Sequence, residues 1–136
     1  MKLIVCLDDR GGMAFAGRRQ SKDRCVTEDI ARDLADGVLF VTPYSAKLFE
    51  GYKIHLETAA DPISAARERQ NATVFLETAP APRDVNGIDA VTVYRWGRSY
   101  PFDLSFETDL SALRRRGVMT FKGNSHDKIT KEIYTR

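Results

Sequence analysis

The chain has 136 residues, 43% hydrophobic and 29% charged, with 21 lysines and arginines against 19 acids and a formal net charge of +2. That length suits one domain with one core of ordinary proportions. The composition excludes a disordered chain, and no apolar run approaches the ~18 residues of a membrane span. We therefore expect a single α/β domain over residues 1–136.

The charge is unevenly spread. Residues 1–24 carry six basic and three acidic side chains, residues 25–92 six and eleven, and residues 93–136 nine and five. Basic ends around an acidic middle favour an anionic partner if the two ends meet in space.

KLIVCLD (2–8) is a continuous apolar run rich in β-branched residues and predicts a buried strand. It is too short for the apolar region of a signal peptide, so a cytoplasmic location is the default expectation. Cys6 and Cys25 fit no metal spacing and are expected to be unpaired thiols. Residues 9–23 read as a loop, glycine-marked at Gly11 and Gly12 and strongly basic. TEDIARDLAD predicts a helix from Thr27, with Val26, Ile30 and Leu34 at four-residue spacing and Gly37 as its stop. GVLFVTPY is a second apolar strand ending at Pro43, and SAKLFE a short helical turn with Ser45 as N-cap. YKIHLE alternates as a strand does, and Asp61-Pro62 opens a helix, DPISAARERQ. NATVFLE and AVTVYRW are further core strands, separated by the loop TAPAPRDVNGID. RSYPFDLSFETDLS is irregular, and ALRRRGVMTFKG with DKITKEIYTR predicts a hairpin turning at Gly-Asn-Ser-His. Together these elements predict a mixed, mainly parallel sheet flanked by helices and closed by a C-terminal antiparallel hairpin.

Three stretches carry chemistry. In the opening loop, Asp8 follows the first strand, and Arg18, Arg19 and Lys22 are suited to phosphate or carboxylate. The first two strands are expected to lie side by side and deliver Asp8 and Pro43-Tyr44-Ser45 to one groove, over which this loop closes. In YRWGRSYPF, Arg95, Trp96, Arg98 and Tyr100 interleave stacking surfaces with charge, as nucleotide sites do, although a buried face of Tyr94 and Trp96 explains the pattern slightly better. In GNSHDKITKEIY, His126 beside Ser125 and Lys128 is the candidate general acid or base; the same residues also simply make a turn. Arg114, Arg115 and Arg116 read as edge-strand charges, and His55 as a strand side chain.

In the order of its elements the chain resembles the dihydrofolate reductase family. The stretches that carry this are KLIVCLDDRGGMAF, VTEDIARDL, GVLFVTPYSAKLFE, NATVFLE, AVTVYRW and ITKEIYTR. The resemblance implies that fold over nearly the whole chain. It also implies an acid in the first helix, where Glu28 or Asp29 stands. The family's Pro-Trp pair, its Gly-Arg-x-Thr segment and its glycine pair after the strand matching NATVFLE are replaced here by GRRQSKD, TPYSAKLF and FLETAP. Without that glycine pair a Cβ keeps backbone amides from a pyrophosphate, and Glu77 adds a repelling charge. An active NADPH-dependent reductase is therefore not expected, and no cofactor is assigned.

DDRGGMAF, RRQSKDR, PYSAKLF, YRWGRSYP and GNSHDKITKEIY also look like small bacterial proteins labelled ribonuclease Z. That enzyme's HxHxDH zinc motif is missing, since the only histidines are His55 and His126.

Three functions follow as expectations, and the residues leave open whether any reaction is catalysed. One is a ligand-binding protein for an anionic small molecule or nucleotide, using Asp8, Arg18, Arg19, Lys22, Tyr44, Ser45, Trp96 and Arg98. Another is a metal-independent ribonuclease or phosphodiesterase using His126, with nucleic acid as partner. The third is an interaction module, apolar around Tyr100 to Phe106, that binds another chain or forms a homodimer. No membrane partner is expected.

Overall fold

A computed structural model describes all residues, Met1–Arg136. The opening apolar run forms β1 (Lys2–Leu7) and lies near the middle of a seven-stranded sheet. Parallel neighbours flank it, β6 (Ala72–Leu76) and β7 (Ala90–Arg95). Beyond β6 come β4 (Val38–Val41) and the edge strand β5 (His55–Thr58), both parallel. Beyond β7 lie β10 (Ile129–Thr135) and the other edge, β9 (Arg114–Phe121), joined as an antiparallel hairpin. The mixed, mainly parallel sheet with a closing hairpin is thus present.

Alternation along β1 divides the core in two. Leu3, Val5 and Leu7 face one side with Val74, Leu76, Val91 and Val93, covered by α3 (Pro62–Arg67) through Ala66. Ile4 faces the other side with Phe75, Tyr94 and Trp96, under Val26, Ile30 and Leu34 of α1 (Arg24–Leu34). A four-residue apolar spacing forms one stripe on a helix, and that stripe is the buried one.

Several boundaries differ from the sequence expectation. α1 begins three residues before Thr27, because the Asp23 carboxylate accepts the Cys25 N–H at 2.9 Å and caps the first turn. It ends at Ala35, whose φ of +50° interrupts the helix before Gly37. Thr42, not Ser45, caps the short helix α2 (Pro43–Ala46), since Pro43 occupies its first turn; a 3₁₀ turn, Lys47–Phe49, follows. The expected loop 9–23 contains β2 (Gly12–Phe15) and β3 (Arg18–Arg19), which join β8 (Leu104–Ser105) in a small second sheet.

The first two sheet strands of the chain are not side by side: β6 lies between β1 and β4. All three are parallel, so their carboxyl ends still share one rim. Along it stand Tyr44 and Ser45 after β4, Glu77 after β6, Asp8 after β1 and Trp96 after β7.

Candidate functional site at the carboxyl rim of the sheet

Asp8 is fully buried and organises the opening loop. One oxygen accepts the backbone N–H groups of Arg10 and Gly12 at 2.9 and 2.8 Å. The other accepts the Tyr100 N–H at 3.0 Å and the Gln20 side-chain amide at 3.1 Å. Burial works to raise its pKa, but these four donors outweigh it and hold the carboxyl below its ordinary value. The residue ties the loop to the segment after β7.

Beside it Arg19 lies over the rim. Its guanidinium grips Glu77 at 2.8 and 3.0 Å and covers the Tyr44 ring at 4.4 Å from the centroid. Its backbone N–H donates to the Tyr44 hydroxyl at 3.1 Å, while the buried Ser45 hydroxyl donates to Glu77 at 2.7 Å. Arg19, Tyr44 and Ser45 are therefore brought together, around the Glu77 carboxylate at the end of β6. Burial and the Glu77 charge push the neighbouring Cys6 thiol well above its ordinary pKa, with Arg19 offsetting part of the effect. Cys6 and Cys25 are both unpaired.

A second cluster forms where the β9–β10 loop meets the start of α1. His126 is buried, its ring stacked on Trp96 with centroids 4.6 Å apart and planes 23° from parallel. Its Nδ1 lies 2.9 Å from Asp23 Oδ2. Its Nε2 faces the Ser21 hydroxyl at 3.0 Å and the Tyr100 hydroxyl at 3.2 Å. Asp23 also accepts the backbone N–H groups of Asn124 and Ser125, each at 2.8 Å, besides capping α1. Burial alone would raise its pKa; the Asn124 N–H, the His126 ring and the Ser125 and Cys25 N–H groups overcome that and hold it far below the carboxylate range. Asp23 thus remains ionised and accepts only. In the neutral ring the His126 proton then sits on Nδ1, toward Asp23, and the single Nε2 lone pair accepts from a hydroxyl, with Ser21 the nearer of the two.

Two cavities adjoin this cluster. A cleft of about 430 Å³ is lined by Lys22, Asp23, Arg24, Thr27, Leu48, Tyr52, Asn124 and Ser125. A narrow space of about 10 Å³ touches Cys6, Ser21, Glu77 and Trp96, and shares Lys22, Asp23, Thr27 and Leu48 with the cleft. The narrow space brings the two clusters to common walls. No group of three or more His, Cys, Asp or Glu side chains is disposed to hold a metal ion.

Of the residues nominated from sequence, only Lys22 lines the cleft. Arg18 is exposed on β3, and Arg98 is exposed with its carbonyl accepting the Asp9 N–H at 2.9 Å. Trp96 belongs to the buried face expected of it and also supports His126. The stretch Tyr100 to Phe106 is not an open apolar surface, since Leu104, Phe106 and Tyr100 pack against the two cores. The exposed large apolar side chains are Phe15, Val118 and Met119.

Ser21 and Asp23 were absent from the sequence candidates, and Tyr100 was named only as an aromatic of YRWGRSYPF and of the Tyr100 to Phe106 surface. Asp23 had a local signal, an N-cap residue just before the Val26–Ile30–Leu34 stripe, masked by the acids Glu28 and Asp29. Ser21 had none, and nothing local linked Tyr100 to a histidine, because only folding brings the two to one 105 and 26 residues away.

No family model matches the chain, and no curated protein matches it. Among solved structures, a dihydrofolate reductase from Enterococcus faecalis complexed with NADP(H) and RAB-propyl matches with a TM-score of 0.67. The match covers 99% of this chain and 95% of that one at 12% sequence identity. The fold is dihydrofolate reductase-like from end to end.

Proposed function

We propose that this chain uses a dihydrofolate reductase-like fold to bind an anionic, nucleotide-like small molecule in the cleft between α1 and the β9–β10 loop, and that it is not an NADPH-dependent reductase. The observation that carries this is the cleft itself. At about 430 Å³ it is of small-ligand size. Lys22 and Arg24 supply positive charge, Tyr52 and Leu48 an apolar wall for a ring, and Asn124 and Ser125 polar side chains. The one acid in its lining, Asp23, is filled by donors of the protein and projects little uncompensated charge.

The same fold argues against dinucleotide use. Where the family keeps a glycine pair, this chain has buried Glu77, clamped by Arg19 and Ser45. A pyrophosphate there would meet a Cβ and a carboxylate in place of free amides. A ribonuclease with His126 acting directly on RNA is less well supported, because its side chain is only 2% exposed. Unpaired Cys6 and Cys25 suit a reducing, cytoplasmic setting.

Thermal-shift measurements against mono- and dinucleotides, folates and NADPH test this. A ligand at about 100 times its Kd adds roughly 2.7 kcal/mol of stability, on the order of 10 °C in Tm. We expect such a rise for an anionic heteroaromatic ligand, its loss in Lys22→Glu/Arg24→Glu, and no response to NADPH. No response to any of them at millimolar concentration, or NADPH-dependent reduction of dihydrofolate, would refute the proposal.

A further inference from the structure

We infer that Ser21, His126 and Asp23 form a nucleophile, base and orienting acid, giving this chain reactivity toward carboxylic esters. The contacts are those an activated serine requires: Ser21 Oγ to His126 Nε2 at 3.0 Å, and His126 Nδ1 to Asp23 Oδ2 at 2.9 Å. Such constellations recur on unrelated folds and are recognised by geometry, not by order along the chain.

Three features beyond the distances support the assignment. Asp23 is immobilised by the Cys25, Asn124 and Ser125 N–H groups, so the base has a fixed acceptor behind it. Trp96 stacks on the imidazole and sets the plane in which Nε2 meets Ser21. Ser21 is half-buried and lines the narrow space of about 10 Å³, which shares Lys22, Asp23, Thr27 and Leu48 with the 430 Å³ cleft, so an ester reaches its hydroxyl only across those shared walls.

The reaction balances with ester and water alone. As the Ser21 Oγ–carbonyl carbon bond forms, the Oγ proton passes to His126 Nε2 and the carbonyl oxygen becomes an oxyanion. The Tyr100 hydroxyl, which converges on the same nitrogen, is the donor available to that oxyanion. Collapse breaks the bond to the leaving alcohol, which takes the proton from Nε2. Water then attacks the acyl-serine, giving a proton to Nε2; release of the carboxylic acid returns that proton to Ser21. The inference stands on Ser21's surroundings and does not need the ligand of the cleft to be a nucleotide.

The test uses the intact chain with a fluorophosphonate, which phosphonylates activated serines with loss of fluoride, and with p-nitrophenyl acetate as a chromogenic ester. We expect one adduct, mapped to Ser21 by peptide mass spectrometry and formed at least 100-fold faster in the folded protein than in urea. Ser21→Ala should remain folded, take no adduct and drop to background ester hydrolysis, while His126→Gln should label at least tenfold more slowly. The inference falls if the folded chain labels no faster than the unfolded one, if the adduct maps elsewhere, or if Ser21→Ala hydrolyses the ester as fast as the parent. Should His126→Gln fail to fold, the adduct map and the Ser21→Ala rate still decide.

Discussion

Asp23 caps a helix, anchors a hairpin loop and orients a histidine, all through two oxygens held by backbone and ring donors. Its neighbour Gly123 shows how little room that arrangement leaves. A Cβ there would collide with the Asp23 carboxylate and come within 2.7 Å of Ile129 Cδ1. Gly123→Ala should therefore cost about 2 kcal/mol through overpacking, read as a lowered urea midpoint. The same change should weaken whatever chemistry depends on His126, because the carboxylate must move to accommodate the methyl group. Glycine at this position was legible as a turn residue, but its role as clearance for an acid 100 residues earlier was not.

Elements were legible where a single run of side chains decides them. The apolar strands at β1, β4, β6 and β7, the α1 stripe and the terminal hairpin all follow from local periodicity. The short β2, β3 and β8 did not, because two to four residues carry no period; they exist only because the loop ends are tied at Asp8 and paired across the chain. Arg19 on β3 illustrates the consequence. It read as a phosphate ligand, yet folding places it against buried Glu77. Arg19→Met should cost about 2–4 kcal/mol by leaving that acid without its cation. Arg19→Met/Glu77→Gln should recover most of the loss, since the desolvated charge is then gone as well. Chemical denaturation of the two variants checks both outcomes. If the single and double variants prove equally unstable, the cost lies in packing and not in the charge.

For the molecule as a whole, several depressed carboxyls share one acid-sensitive region. Asp8 and Asp23 both bind protons less readily folded than unfolded, so they stabilise the native state above the unfolded carboxylate value of ~3.9. That contribution is lost as pH falls from there through their folded values. Lys131 has the opposite sign. Its burial opposes the charge, but Asp29 and Asp33 outweigh this and raise its pKa, so its contribution is complete below ~10.4 and lost as pH rises beyond that. Urea midpoints followed from pH 2 to 11 should thus fall at both ends. Asp23→Asn should be less stable at pH 6 and show a shallower acid limb; an unchanged limb would mean that Asp23 titrates alike in both states.

Strand identity, the burial of alternate faces and the resemblance in element order were all carried by the residues themselves, because neighbours a few positions apart decide periodicity. The interposition of β6 between β1 and β4, the pairing of Arg19 with Glu77 and the meeting of Ser21, Asp23, Trp96 and Tyr100 at His126 belong to the tertiary structure alone. A parallel sheet joins strands distant in sequence, so what collects at its carboxyl rim depends on strand order, and strand order leaves no local trace in the chain.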